Sequence, residues 1–204
     1  MQIVLNNVGK RFNREWIFRN LTYTFDSKKK YAITGNNGSG KSTLLQIIAG
    51  AVMHSEGTIE YKSEKPSQIT NDIVHQHLSI AAPYLELIEE MTANEFLHFH
   101  YEFKKLTHPF KEILSITGLE NAAEKQIRYY SSGMKQRLKL AQAFFSETSV
   151  LLLDEPTSNL DESGIQLYKM LIRNYTKGRL IIVSSNDSDE YDFCDEVLPI
   201  SNYK

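Results

Sequence analysis

Two rhythms of apolar and polar residues divide this chain. Over residues 1–34 apolar and polar positions alternate, as in Leu21-Thr22-Tyr23-Thr24-Phe25, which is the period of antiparallel or edge strands. A short apolar strand over 31–34 leads into a helix over 43–49, with Gly50 placed as its C-cap. Residues 57–61 read as another strand, the polar stretch 62–72 with Pro66 as a loop, and 78–82 as a buried strand. That strand stops at Pro83, which cannot donate to a ladder. The texture then becomes helical. Thr92 with Glu95 three residues on forms a capping box that opens a helix to about residue 104. A second helix covers 110–117 and ends at Gly118, and a third covers 134–145. A strand over 150–153, a helix over 162–174, a strand over 180–183, a short helix near 188–193 and a last strand over 197–200 complete the chain.

Strands alternating with helices predict an α/β fold around a mixed, mostly parallel sheet, with antiparallel strands at the N-terminus. One domain over 1–204 is expected, its core formed by 1–82 and 132–204 and its helical subdomain by an insertion over 83–131. A chain of 204 residues can bury a sizeable core.

Chemistry enters at Gly35-Asn36-Asn37-Gly38-Ser39-Gly40-Lys41-Ser42, between the 31–34 strand and the 43–49 helix. Two glycines with four residues between them, then Lys and Ser, form the P-loop pattern in its required strand–loop–helix setting. Glycines allow the tight turn that converges backbone N–H groups on phosphates, and the helix N-terminus adds a positive field. Asn36 to Thr43 are therefore candidate nucleotide ligands; Lys41 reaches the β- and γ-phosphates and the Ser42 hydroxyl suits Mg²⁺. The run Val150-Leu151-Leu152-Leu153 ends in Asp154-Glu155, and ligand sites of such sheets lie at the carboxyl ends of strands. This places Asp154 to hold Mg²⁺ through water and Glu155 to orient and deprotonate an attacking water.

Charge and cysteine content remove other classes. A net charge of −2 carries no basic footprint for nucleic acid, and Lys28-Lys29-Lys30 reads as a solvated turn, with contact to anionic lipid or nucleotide as the alternative. The single cysteine, Cys194, permits no internal disulfide and reads as a small packing residue. Polar Asn6-Asn7 and Lys10-Arg11 interrupt any leader-like run, and no apolar stretch approaches the roughly 20 residues that span a bilayer.

The order of motifs, Gly35–Ser42, then Ser131-Ser132-Gly133 within SSGMKQRLKLA, then DEPTSNLD over 154–161, resembles the ATP-binding cassette family over nearly the whole chain. The resemblance implies a Mg²⁺-dependent ATP hydrolase that works as a head-to-tail dimer. Each ATP would lie between the P-loop of one copy and Ser131, Ser132 and Gly133 of a second, with Asp161 at the interface. It implies that Phe12 stacks on adenine; core packing for Phe12, or Trp16 as the platform, are the alternatives. It also implies that the insertion docks onto a separately encoded membrane-spanning permease, peripheral to the cytoplasmic face of the membrane. The stripe Phe96, Phe99 and Phe103 is expected as helix core, with docking surface as the alternative.

Three departures stand out. Ser132 replaces a glycine and Met134 a glutamine in the signature segment. Pro83 takes the place of the family's glutamine after the strand near residue 80, and Gln76 precedes that strand. Asn186 stands where a histidine near the γ-phosphate is usual, and it cannot titrate near neutral pH. The expected function is the energy subunit of a transporter. The alternatives are a cassette ATPase outside transport, which usually carries two cassettes or a long coiled coil, and a regulatory module with weak hydrolysis.

Overall fold

The computed structural model describes residues 1–62, 69–70 and 73–204, so most of the loop expected over 62–72 lies outside the described residues. Its elements gather into two compact units: 1–80 with 149–154 and 178–204, and 81–148 with 155–177.

In the first unit, β1 (Gln2–Phe12) and β2 (Glu15–Asp26) form one long antiparallel hairpin, and β4 (Glu56–Lys62) pairs with the other edge of β1. Alternation decides the register: Ile3 opposes both Phe25 and Tyr61, and all three are buried. The second sheet has the order β5-β6-β7-β3-β8, from β5 (Leu78–Ala81), β6 (Val150–Asp154), β7 (Leu180–Ser184), β3 (Lys30–Thr34) and β8 (Glu196–Pro199). β3 runs parallel to both β7 and β8, and β6 parallel to β7. Every residue of β6 and β7 is buried, as the unbroken apolar runs require of parallel strands with both faces covered. Helix α1 (Lys41–Ile48) packs its Leu44, Leu45, Ile47 and Ile48 into the same core. It ends one residue earlier than expected. Gly50 lies beyond the cap residue Ala49 and donates to Ile47 O while Ala51 N donates to Gln46 O, a paired closure of the last carbonyls.

The second unit is helical. α2 (Ala93–Phe103) opens with the expected box, Thr92 Oγ1 accepting from Glu95 N and Glu95 Oε2 from Thr92 N. α3 (Phe110–Ile116), α4 (Ser132–Phe145) and α5 (Glu162–Asn174) follow. This unit is larger than the insertion expected over 83–131, because α4 and α5 group with it. Their apolar faces explain why: Leu138, Ala141 and Phe144 of α4 and Leu167, Tyr168 and Leu171 of α5 are buried, and the Phe144 and Tyr168 rings meet edge to face at 6.4 Å. The phenylalanine stripe of α2 corrects the expectation of a helix core. Phe96 is buried, but Phe99 and Phe103 are exposed and meet edge to face at 5.1 Å.

Candidate nucleotide site

The first unit assembles the P-loop from chain geometry alone. β3 delivers residue 34 to a turn in which Ser39 N donates to Asn36 O, and α1 starts at Lys41. Gly40 is required: its φ is 102°, and a Cβ there would lie 2.4 Å from Ile17 Cγ2. No side chain caps α1 and its first turn holds no acidic residue, so its leading N–H groups present an uncompensated positive end. Lys41 is buried at 4% exposure, and its Nζ donates to Gly35 O at 2.8 Å and Asn36 O at 3.3 Å. The ammonium thus rests on the loop's own carbonyls. Ser39 is also buried, with no partner for Oγ among the described residues; Ser42 and Thr43 are half-buried and Asn36, Asn37 and Gly38 exposed.

Parallel pairing then aligns the sheet ends. Ser184 is the register partner of both Ile33 and Asp154, so β6, β7 and β3 end level beside the P-loop, two strand spacings or about 10 Å apart. Asp154 is 1% exposed and, among the described residues, its Oδ1 meets no donor; Ser184 is fully buried and its Oγ likewise finds no partner among them. A buried, unpaired carboxylate oxygen is costly without a ligand, and a hard oxygen donor suits Mg²⁺. The residues present therefore fit a magnesium nucleotide. Ser184 was absent from the candidates read from sequence, because a serine ending an apolar strand carries no motif. Asn186 lies two residues on, exposed, and its Nδ2 donates to Asn37 Oδ1 at 2.7 Å, tying the segment after β7 to the P-loop.

At the hairpin tip Phe12 is half exposed, with Lys10 Nζ 4.6 Å from its ring centroid. The Trp16 ring is covered by the guanidinium carbons of Arg19 at 4.1 Å and Arg11 at 5.5 Å. Core packing is thus not the role of Phe12. Cys194 is half-buried, and burial pushes its thiol up to about 12, which disfavours the thiolate.

The second unit carries the remaining candidates. Ser131 is the N-cap of α4, its Oγ accepting from Met134 N at 3.2 Å, and with Ser132 it is exposed at the helix mouth; Gly133 is half-buried. Glu155 adopts φ 42°. Asp161 is the N-cap of α5, and the Gly164 N–H, then Ser163 Oγ–H and Arg137, hold its carboxyl below the usual carboxylate range. Pro83 O accepts from Lys139 Nζ at 2.8 Å. These two residues also line a groove of about 690 Å³ with Leu85, Ile88, Glu89 and Lys135. Among the described residues no group of three or more His, Cys, Asp or Glu side chains could hold a metal, and no helix is long and apolar enough to cross a membrane.

Comparison with known proteins accords with this geometry. A family model described as ABC transporter matches residues 18–158. A Bacillus subtilis protein named as an uncharacterized ABC transporter ATP-binding protein, YybJ, is 31% identical over 96% of this chain and 91% of its own length. An ATP-binding protein structure from Pyrococcus furiosus, 18% identical, superposes with a TM-score of 0.83 over 100% of both chains and shows the shared fold. The dimeric structure of MJ0796, titled a bacterial ABC transporter cassette, is 25% identical with a TM-score of 0.79 over 97% of this chain and 94% of its own.

Proposed function

The chain belongs to the ABC transporter family, and from that premise we propose that it binds and hydrolyses ATP to drive a separate membrane-spanning partner. One observation carries the chemistry: a P-loop ending on an uncapped helix stands level with a buried carboxylate oxygen that no group among the described residues satisfies. ATP phosphates offer the anionic charge that the loop amides, the α1 N-terminus and Lys41 are arranged to meet. Lys41 Nζ exchanges the Gly35 and Asn36 carbonyls for phosphate oxygens, so the loop arrives at its substrate with the cation already in place. Ser42 and Asp154 are the residues that would hold Mg²⁺, which neutralises charge on the β- and γ-phosphates when bound. Glu155 follows Asp154 directly and takes the proton from the attacking water. Phe12, with a half-exposed ring, is the adenine platform.

The second half of the site comes from another copy. Ser131 and Ser132 are exposed, and Ser131 Oγ accepts within its own helix, which keeps its hydroxyl hydrogen available to a γ-phosphate held by the facing subunit. Gly133 N–H lies in the same first turn of α4. The dimeric MJ0796 cassette supports this arrangement. The helical unit receives the permease, which places the chain at the cytoplasmic face of the membrane.

Glu155→Gln tests the reading. Hydrolysis should fall by about a hundredfold or more while ATP binding persists and an ATP-dependent dimer accumulates. Turnover at the parent rate would remove Glu155 as the base. A second reading, a module that binds ATP and turns it over slowly, is favoured by the Asn186–Asn37 bond and by Pro83 in place of glutamine. A turnover that stays slow when the purified membrane partner is added would select it.

A further inference from the structure

The loop that follows β6 carries two residues in the left-handed region, Glu155 at φ 42° and Asn159 at φ 64°. Asparagine tolerates that conformation, whereas glutamate keeps it only where its surroundings over-determine it. Ser158 N donates to Glu155 O at 3.0 Å and closes a turn around buried Pro156, but one backbone bond does not fix a strained residue unaided. The first turns of α4 supply the rest at three points. Gly133 lies so close to the loop that a Cβ there would come within 3.2 Å of Asn159 O. Arg137 Nη2 donates to Asp161 Oδ1 at 3.2 Å and to Ser163 Oγ at 2.6 Å. Between them Gln136, only 2% exposed, donates from Nε2 to Pro156 O at 2.8 Å. That carbonyl belongs to the residue immediately after Glu155, and the bond joins residues 20 apart in sequence.

We infer that Gln136 is a positioning residue for Glu155: its buried amide holds the Glu155–Pro156 turn so that the carboxylate stays aimed at the attacking water. The inference rests on the role proposed above for Glu155. A polar side chain is expensive to bury and its sole bond described here is to this carbonyl, so the bond is what the burial secures. Gln136 acts through the Glu155–Pro156 turn, as a positioning residue. Its effect is on the geometry of the chemical step, where misplacement of a reacting group by a fraction of an ångström costs rate and leaves binding intact.

The experiment uses the full chain and two substitutions. Gln136→Leu keeps the volume and removes the donor; kcat should fall about tenfold or more while the affinity for a fluorescent ATP analogue stays within about twofold. Gln136→Glu donates the same bond only as the neutral acid, so the ratio of its kcat to the parent's should rise as pH is lowered from 8 to 6. This second variant reads the bond even where the leucine variant folds poorly. Unchanged kcat in both variants, equal losses of kcat and nucleotide affinity, or a ratio flat with pH would each overturn the inference. Glu155→Gln run in parallel separates the two levels. If it hydrolyses at the parent rate, the base assignment falls; if it is inactive while Gln136→Leu is fully active, only the role of Gln136 falls.

Discussion

Asp154 and Ser184 stand opposite each other in the parallel ladder of β6 and β7, each buried, each with a side-chain oxygen that no group among the described residues meets. The pair closes the carboxyl edge of a sheet whose other β6 and β7 positions are apolar apart from these two ends. Folding the chain therefore spends stability at the point where the proposed function puts a magnesium nucleotide.

Asp154→Asn should show both sides of that bargain. Replacing a desolvated carboxylate with a neutral isostere removes part of the burial cost, about 1 kcal/mol, which for a chain of this size raises the thermal midpoint by about 2–4 °C. Turnover should drop by about a hundredfold or more, because the amide is a poor magnesium ligand. Calorimetry without nucleotide and a phosphate-release assay read the two effects. A midpoint that falls would show that the carboxylate is satisfied in the folded protein.

Phe12→Ala should weaken ATP binding about tenfold, the scale of one base-stacking contact, with little change in stability since the ring is already half exposed. Trp16→Ala should leave affinity within about twofold, since the Arg11 and Arg19 guanidiniums already lie over that ring. Titration with a fluorescent nucleotide compares them directly. The reverse ranking would move the adenine platform to Trp16.

Asn186→Ala removes an exposed side-chain bond to Asn37 and no titrating group. Hydrolysis should stay within about threefold of the parent and stability within about 0.5 kcal/mol. A loss equal to that of Glu155→Gln would make Asn186 a direct participant in the reaction.

How much of this was legible in the sequence follows from range. Thr92 with Glu95, Gly118 after α3, and the P-loop are local signals; the capping box, the helix end and the loop–helix turn stand where the pattern put them. Grouping α4 and α5 with the helical unit was not legible, because it depends on partners such as Phe144 and Tyr168, 24 residues apart in the chain. Phe99 and Phe103 misled for a related reason. They keep the helical spacing of Phe96, but spacing names a face and not what lies against it. Ser184 gave no signal, since it ends an apolar strand, and Gln136 lies within the SSGMKQRLKLA segment but shows no role of its own until Pro156 O is brought to it.

His100 makes stability acid-sensitive by a calculable route. Its Nε2 meets Ser146 Oγ at 2.8 Å, and that hydroxyl already donates to Gln142 O at 2.6 Å, so the imidazole is the donor. Burial, with a smaller contribution from the Lys104 charge, lowers its pKa to about 4 from 6.5. A depressed folded-state pKa contributes stability that is present above 6.5 and is lost as pH falls towards 4, because the unfolded chain then takes up a proton that the folded chain refuses. At pH 5 the loss should be about 1–2 kcal/mol once solvent screening is allowed for. His100→Gln retains a donor for Ser146 without titrating, so its urea midpoint should change less than the parent's between pH 7 and pH 5. Equal losses in the two proteins would place the acid sensitivity elsewhere.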